Sequence, residues 1–306
     1  GKVAVVTGAN SGIGKETVRS LVSGGEYEVV VMACRSVEAG LEARSEIARG
    51  TGESTSERKM VVEQLNLSSL SSVRGFAKVF SYSFGRLDLL VNNAGVMMIP
   101  DLRLTDDGYE EHWGVNYLSH YLLTSELFPS LRSTEEARIV NVSSAANSFG
   151  SLGNLEDLNY RDDYDPWQAY GNSKLGNLMF TFELDRRLKE RGIANVTVNA
   201  VHPGLVKTKL GRYMSPLVTG IFKLLPDFFV LTPEKGARTQ IDVAVSESLQ
   251  GVSGKYFADQ TMKLKPGQYA EEDVVISPMA RDESLLRDLW DYSVRETQAT
   301  WNGLQT

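Results

Sequence analysis

The chain has 306 residues, of which 42% are hydrophobic and 23% are charged. This length allows one large α/β domain or two small ones, and the composition excludes fibrous, disordered and collagen-like classes. Thirty-two Lys and Arg against 39 Asp and Glu give a net charge of -7, the wrong sign for a protein that binds nucleic acid. The single cysteine, Cys34, excludes an internal disulfide or a thiolate metal cluster, and it fits a reducing compartment.

No stretch of the sequence is apolar enough to predict a transmembrane helix. The best candidate, residues 216–231 (PLVTGIFKLLPDFFVL), is interrupted by a lysine, a proline and an aspartate. Residues 1–6 already have the pattern of a buried strand, so we expect any targeting or anchoring segment of a precursor to be missing here. An intracellular location is expected, but the sequence does not distinguish the cytosol, the membrane face of the endoplasmic reticulum and a plastid.

Short apolar runs alternate along the chain with longer amphipathic stretches. The runs are continuously apolar, as strands buried on both faces of a parallel sheet must be. The stretches between them have helical spacing, and no repeat or linker divides the chain. The pattern predicts a doubly wound parallel sheet, a three-layer α/β/α Rossmann-type fold, in a single domain over 1–306. The predicted strands are 3–6, 28–33, 60–65, 87–91, 138–142, 195–201 and 255–258, and the predicted helices are about 12–23, 36–49, 69–83, 108–131 and 167–191.

A glycine-rich turn, TGANSGIG at 7–14, joins the first predicted strand to the first predicted helix. Glycines let a pyrophosphate approach the backbone amides and the positive end of the helix dipole. A merely tight turn is the alternative, but the position between first strand and first helix is the one that a dinucleotide site requires. The expected cofactor contacts here are Gly8, Asn10, Ser11, Gly12, Ile13 and Gly14.

Arg35 follows the predicted end of the second strand at Cys34, and no acidic residue occupies positions 33–37. An NAD site offers a carboxylate to the ribose hydroxyls at this place, whereas a guanidinium suits the extra 2′-phosphate of NADP. A solvated surface arginine is the alternative. The sequence therefore predicts NADP(H) as the cofactor.

Tyr170 and Lys174 lie four residues apart at the start of an amphipathic stretch, where they share one helix face. A free phenol has a pKa near 10, and an ammonium beside it would lower that pKa enough for proton transfer. Such a pair alone is commonplace. Here it follows the glycine turn, NNAG at 92–95 and the serines at 143–144 in order, which favours a catalytic interpretation.

With these motifs the sequence resembles the short-chain dehydrogenase/reductase family over essentially its whole length. The matching motifs are TGxxxGIG at 7–14, NNAG at 92–95, NVSS at 141–144, YxxxK at 170–174 and the Pro-Gly step at 203–204. Within the family it is most similar to the retinol dehydrogenase-like branch. That similarity rests on ACRS at 33–36, NNAGVMM at 92–98, SKLGNLMFTFEL at 173–184, VHPGLVKTKL at 201–210 and TPEKGARTQ at 232–240. Protochlorophyllide reductase-like and chloroplast import-associated reductases share much of this pattern.

The resemblance implies four catalytic residues. Tyr170 corresponds to the acid/base, and Lys174 to the residue that lowers its pKa and holds the nicotinamide ribose. Ser144 corresponds to the serine that hydrogen-bonds the reacting carbonyl oxygen, with Ser143 the less favoured neighbour. Asn116 corresponds to the asparagine that supports the lysine and its water-linked proton relay.

The resemblance also implies further cofactor contacts. Asn66 stands where the family usually has an aspartate that contacts the adenine amino group; its amide oxygen can accept that bond without charge assistance. The remaining contacts are Leu67 beside the adenine, Asn93, Ala94 and Gly95 on the adenosine side, Tyr170 and Lys174 at the ribose, and Pro203, Gly204 and Thr208 flanking the nicotinamide.

His112, His120 and His202 are the only histidines, and they are too scattered to predict a metal site. Satisfied helix histidines are the simpler interpretation of His112 and His120, which lie eight residues apart. A Ser-His-Asp hydrolase interpretation of Ser144 fails because the sequence around it lacks the strained GxSxG turn.

Apolar residues are concentrated at about 208–231, directly after the Pro-Gly step. A substrate lid is expected here, because a site for a large apolar substrate needs such walls. Packing on the sheet and association with a membrane surface are the alternatives. Residues 147–166 are expected to form the opposite rim. Many relatives pair through the helices that begin near 108 and 167, so a homo-oligomer stays open.

Together these observations predict an NADP(H)-dependent oxidoreductase that transfers hydride between the nicotinamide and a carbonyl or alcohol of a lipophilic substrate, retinal or another aldehyde or ketone. A nucleotide-binding sensor or scaffold of the same fold is the alternative from another class. The presence of Ser144, Tyr170 and Lys174 together disfavours it. Protochlorophyllide reduction is a second alternative, disfavoured because Cys34 is expected at the adenosine end.

Overall fold

The computed structural model describes residues 1–51, 56–158, 163–206, 231–258 and 276–304. Within these ranges seven parallel strands form one sheet in the order β3-β2-β1-β4-β5-β6-β7. The strands are β1 (Lys2–Thr7), β2 (Tyr27–Cys34), β3 (Met60–Gln64), β4 (Leu89–Asn92), β5 (Ala137–Val142), β6 (Val196–His202) and β7 (Tyr256–Ala258). This order, with helices on both faces, confirms the predicted Rossmann-type fold.

The strand order reverses between β1 and β4. The chain builds outward from β1 to β3, returns through a long crossover, and continues on the other side with β4. In open parallel sheets, ligands bind outside the carboxyl ends of the strands at this reversal. The turns after Thr7 and Asn92, which carry the predicted cofactor motifs, both lie there.

Eight helices flank the sheet within the described ranges. They are α1 (Gly12–Gly24), α2 (Val37–Thr51), α3 (Ser56–Lys59), α4 (Leu70–Phe84), α5 (Ser119–Arg132), α6 (Pro166–Glu190), α7 (Pro233–Val245) and α8 (Glu283–Thr297). At the start of α6 the carboxylate of Asp165 accepts the backbone N–H groups of Trp167 and Gln168, so that the first turn is capped. No helix in the described part of the chain has the length and apolarity needed to cross a bilayer.

The long helix predicted over 108–131 is interrupted. The chain becomes helical at Glu111, and Trp113–Leu118 then forms a π-helical turn that leads into α5. Such turns are frequent at functional sites, because they shift the side chains after them around the helix. Asn116 lies inside this turn.

The C-terminal helix α8 covers α5 and α6. Tyr121 of α5 makes edge contacts with Trp290 and Trp301, at ring-centroid distances of 5.2 and 5.3 Å. The indole N–H of Trp301 also donates to the Tyr121 hydroxyl at 2.9 Å. Aromatic pairs of this kind add to the burial of large apolar surface, so the last described residues belong to the main core.

Candidate active site

The glycine turn after β1 is shaped by positions that have no room for a side chain. Gly8 has φ of 64°, and its N–H donates to the Ala33 carbonyl at 2.9 Å. A Cβ atom on Gly14 would lie 2.5 Å from the Gly8 carbonyl oxygen and 2.5 Å from Nδ2 of Asn93. The first turn of α1 therefore approaches the end of β1 as closely as the backbone allows.

The hydroxyl of Thr7 joins this turn to the loop after β4. Its Oγ1 accepts the backbone N–H groups of Asn93 and Ala94, each at 2.9 Å, and lies 2.9 Å from Nε2 of His120. Nδ1 of His120 lies 3.0 Å from the Asn116 carbonyl, which can only accept, so Nδ1 carries the proton. In the neutral ring Nε2 is therefore the acceptor, and the Thr7 hydroxyl donates to it. Burial lowers the pKa of His120 to about 4, in agreement with a neutral ring.

The predicted adenosine-side residues follow two adjacent strands. Arg35 comes directly after β2 and is exposed, whereas Cys34, the last residue of β2, is buried. Burial raises the pKa of the Cys34 thiol to about 11. Asn66 and Leu67 follow β3; Oδ1 of Asn66 accepts the N–H of Ser68 at 3.1 Å and keeps a second lone pair. Their contacts to a cofactor stay predictions.

Asn116 connects three parts of the site. Its Oδ1 accepts the N–H of Val96 at 2.8 Å, and its Nδ2 donates to the Val96 carbonyl at 3.0 Å and to Oγ of Ser173 at 2.9 Å. A Cβ atom on Gly95 would lie 3.1 Å from Oδ1 of Asn116 and 3.7 Å from Nζ of Lys174. The NNAG loop, the π-helical turn and α6 therefore converge at this point.

Lys174 is 4% exposed, which is rare for a lysine. Its Nζ donates to the Val142 carbonyl at the end of β5, at 2.9 Å, and lies 5.7 Å from the ring centroid of Tyr170. Burial lowers the pKa of Lys174 to about 8. The ammonium is thus fixed between the sheet and the tyrosine by a backbone hydrogen bond.

The Tyr170 hydroxyl hydrogen-bonds Ser144, and the ring is buried. Burial raises the pKa of Tyr170 to about 12, and the bond to Ser144 opposes that rise only in part. The sequence predicts that Lys174 lowers the pKa of Tyr170, so the direction of the shift in the structure is opposite to the prediction. The reason is that burial penalises the charged phenolate, and this cost is larger than the opposing effect of Ser144.

The two serines after β5 have different partners. Oγ of Ser143 is buried and donates to the Lys174 carbonyl at 2.7 Å. Ser144 is half-buried, contacts Tyr170, and accepts the N–H of Ala146 at 3.2 Å. Their roles toward a substrate remain predictions.

Part of the predicted substrate side lies outside the described residues. Thr208 and the expected lid at 208–231 fall there, apart from Leu231. Pro203 and Gly204 follow β6, and Gly204 has φ of 80°. Of the opposite rim, the described residues include Phe149, whose ring centroid lies 6.3 Å from that of Trp167. Both side chains are about half exposed.

Sequence reasoning did not assign several groups that the structure places in this site. Thr7 and Ser173 were read as parts of motifs without roles of their own, although both join loops through their hydroxyls. From the sequence Glu110 has no assigned role, although an acid just before a helix is a signal for one, and His112 is interpreted only as a satisfied helix histidine. In the described ranges no three His, Cys, Asp or Glu side chains are grouped to hold a metal ion.

Comparison with known proteins identifies the class. Residues 2–216 match the short chain dehydrogenase family, and this chain therefore belongs to it. The chain is 42% identical over 301 residues to retinol dehydrogenase 14 of Mus musculus, covering 96% of this chain and 85% of that protein. It is also 42% identical over 301 residues to retinol dehydrogenase 12 of Homo sapiens, covering 98% and 88%.

One solved structure has a similar fold. An uncharacterized protein from Mycobacterium paratuberculosis superimposes with a TM-score of 0.74 at 34% identity, covering 98% of this chain and 94% of that one. The chain is thus an oxidoreductase of the short-chain dehydrogenase/reductase family and is retinol dehydrogenase-like. Enzymes of this family use NAD(H) or NADP(H). The glycine turn, with no room for side chains on its inner side, fits a dinucleotide.

Proposed function

We propose that this enzyme transfers hydride between NADP(H) and the carbonyl or alcohol carbon of a lipophilic substrate, retinal or another aldehyde or ketone. The observation that carries the proposal is the set of half-buried Ser144 with buried Tyr170 and Lys174, beside Gly95 near the switch point of the sheet. NADPH, when bound, supplies the hydride.

Tyr170 supplies the proton in the reducing direction. With a pKa of about 12 it keeps its proton at neutral pH and can donate it to an alkoxide, which is a far stronger base. Ser144 hydrogen-bonds the same hydroxyl and is placed to donate to the substrate oxygen as negative charge develops there.

Lys174 stabilises that developing charge. At pH 7 a group with a pKa of about 8 is mostly protonated, so a positive charge lies close to Tyr170 in a buried site. Electrostatic interactions are stronger where water is excluded. Asn116 is bound both to Val96, in the loop after β4, and to Ser173, on α6. It therefore fixes the position of that loop relative to α6 around this charge.

Arg35 is the residue that supports the proposed preference for NADP(H). Its exposed side chain follows β2 directly, and a guanidinium forms charge-assisted bonds with a phosphate. The proposed cofactor contacts are those of the glycine turn, Arg35, Asn66, Leu67, Asn93, Ala94, Gly95, Tyr170, Lys174, Pro203, Gly204 and Thr208.

The lipophilic substrate is proposed from the relatives and from the rim. The matched relatives are retinol dehydrogenases by name, and this chain covers 85% and 88% of their lengths. Phe149 and Trp167, which lie between Ser144 and Tyr170 in the chain, are 45% and 48% exposed. Exposed aromatic side chains suit an apolar ligand better than a charged one.

The test is an assay with NADPH and a panel of short-chain, long-chain and retinoid aldehydes. Turnover is measured as the loss of NADPH absorbance. Tyr170→Phe should lower kcat about 10²-fold or more, with NADPH affinity nearly unchanged. Tyr82→Phe, at a tyrosine that is 94% exposed, is the matched control and should behave as wild type. Full activity of Tyr170→Phe would contradict the assignment. Tight NADPH binding without turnover on any substrate would favour a nucleotide sensor or scaffold instead.

A further inference from the structure

A buried glutamate and histidine lie beside Tyr170 and have no part in the proposed proton transfer. Glu110 and His112 are both fully buried, with Oε1 of Glu110 2.6 Å from Nδ1 of His112. The ring of His112 meets that of Tyr170 edge-on, with centroids 6.1 Å apart. Buried polar groups are costly unless they are hydrogen-bonded, so the partners of this pair show what it holds in place.

Glu110 anchors the start of the helical segment that contains Asn116. Its carboxylate accepts the backbone N–H groups of His112 at 3.0 Å and of Trp113 at 2.8 Å. The first N–H groups of a helix have no partner within the helix, and a carboxylate is favoured there by the helix dipole. The π-helical turn therefore begins from a fixed point.

The hydrogen bonds also define the tautomer of His112. The backbone N–H of Ile99 points to Nε2 of His112 at 3.4 Å, and a backbone N–H can only donate. Nε2 is therefore the acceptor, and Nδ1 carries the proton that is donated to Glu110.

The Ile99 amide belongs to an unusual turn in the loop after β4. Met98 has φ of 58°, a left-handed conformation that is uncommon for residues other than glycine. Ile99 is held on both sides, because its N–H is bound by His112 and its carbonyl accepts the Tyr164 hydroxyl at 2.7 Å. Residues in such conformations persist only where the surroundings hold them.

We infer that Glu110 and His112 form a positioning pair for the substrate side of the active site. Glu110 fixes the tautomer, Nε2 of His112 holds the Met98–Ile99 turn, and the imidazole ring packs against Tyr170. The pair thereby sets the distance between the loop after β4 and the catalytic hydroxyl. This inference rests on the proposed function, since the placement of Tyr170 matters for turnover only if Tyr170 transfers the proton.

Three variants of His112 separate the two hydrogen bonds. An asparagine amide reaches about as far as Nδ1, so His112→Asn keeps the bond to Glu110 and loses the bond to Ile99. A glutamine amide reaches about as far as Nε2, so His112→Gln keeps an acceptor for Ile99. His112→Phe keeps only the ring.

The expected result is that His112→Gln retains most of the wild-type kcat. His112→Asn and His112→Phe should lower kcat about tenfold or more, because small displacements of catalytic groups are costly, while NADPH affinity stays near wild type. Both variants should also lower Tm, because each leaves the buried Ile99 N–H without its acceptor. Wild-type kcat in His112→Asn would overturn the inference. An equal loss in all three variants together with a lowered Tm would also overturn it, since that pattern indicates a structural role alone.

Hydrogen–deuterium exchange of the peptide that contains Met98 and Ile99 gives a readout independent of activity. Exchange of the Ile99 amide should be about tenfold faster in His112→Asn and His112→Phe than in the wild type and in His112→Gln. If the wild-type enzyme reduces no aldehyde, the proposed function fails, and this exchange pattern still decides whether the pair holds the turn. Unchanged exchange in His112→Asn would overturn it.

Discussion

The two faces of the central sheet are built differently. The face covered by α1, α2 and α7 stays apolar toward the carboxyl ends of its strands, with Val6, Met32 and Val140 among its fully buried side chains. On the face covered by α5 and α6, polar side chains replace apolar ones near the carboxyl ends of β1, β4 and β5. These polar side chains are Thr7, Asn92 and Asn141, all buried.

The polar face ties the catalytic helices to the sheet by directional bonds. Nδ2 of Asn92 donates to Oγ1 of Thr124 on α5 at 3.0 Å and to Oδ1 of Asn141 at 2.8 Å. Nδ2 of Asn141 donates in turn to Oγ1 of Thr181 on α6 at 2.9 Å. Apolar packing tolerates repacking, whereas directional hydrogen bonds between buried side chains specify one arrangement.

The two faces differ because they supply different groups to the active site at the carboxyl edge of the sheet. The apolar face leads to the glycine turn, which offers backbone amides, so its helices need only to approach closely. The polar face carries the helices that supply Asn116, Tyr170 and Lys174, whose side chains must be placed to within a fraction of an ångström. Close approach, directional bonding and burial can each be tested separately.

Gly14→Ala should have the largest effect on stability. The new Cβ would meet the Gly8 carbonyl oxygen at 2.5 Å, and backbone cannot move aside as a flexible side chain can. We expect a loss of about 3 kcal/mol in the free energy of unfolding, measured with urea, and weaker NADPH binding. Gly24→Ala, at a position with no atom within 4 Å of a Cβ, is the control and should be neutral or slightly stabilising. Equal effects of the two variants would contradict the close-approach argument.

Asn141→Leu should cost about 2 kcal/mol in the free energy of unfolding, because it leaves buried partners on Asn92 and Thr181 unsatisfied. Met32→Leu, a similar change in volume on the apolar face, should cost less than about 1.5 kcal/mol. Asn141→Leu should also lower kcat, since α6 loses a bond that places it, whereas Met32→Leu should not. A larger kinetic effect of Met32→Leu would refute the contrast between the faces.

Acidification should lower the free energy of unfolding through protonation of His120, which is bonded to Thr7 on the polar face. Its pKa is about 4 in the folded protein against about 6.5 when unfolded, so the unfolded state takes up the proton first as pH falls. Stability that is fully present above pH 6.5 is lost as pH falls toward 4, by about 2 kcal/mol at pH 5. Comparing urea unfolding of wild type and His120→Gln from pH 7.5 to 5 isolates this contribution. Parallel stability profiles would show that His120 does not titrate with a lowered pKa.

Much of the fold and of the motif order could be predicted from the sequence, because both depend on local signals. The continuously apolar runs located all seven strands to within a few residues, and the glycine turn located the switch point. Helix α8 could also have been predicted, since Leu286, Leu289, Trp290 and Ser293 recur at helical spacing after an Asp282 cap. None of the quoted family motifs lies in this segment.

The features that could not be predicted depend on contacts between distant residues. The π-helical turn is held by bonds from Asn116 to Val96 and Ser173, 20 and 57 residues away, which no local periodicity reveals. The raised pKa of Tyr170 likewise comes from burial by the whole fold, whereas the spacing to Lys174 pointed in the opposite direction. Motifs indicate which residues meet, and the surrounding packing decides how they ionise.

Arg35→Asp tests whether a side chain next to the glycine turn determines the preference for NADPH over NADH. β2 ends at Cys34, so the exposed Arg35 lies at the carboxyl edge next to the glycine turn. A guanidinium–phosphate contact is charge-assisted, and we expect the wild type to prefer NADPH over NADH by about tenfold to a hundredfold. An aspartate there would repel the 2′-phosphate and accept bonds from the free ribose hydroxyls, so most of the preference should disappear. Arg49→Asp, an exposed arginine near the end of α2, changes the net charge equally and should leave the ratio of the two Kd values unchanged. A wild type that binds NADH as tightly as NADPH, or the same ratio in both variants, would mean that Arg35 is a solvated surface residue.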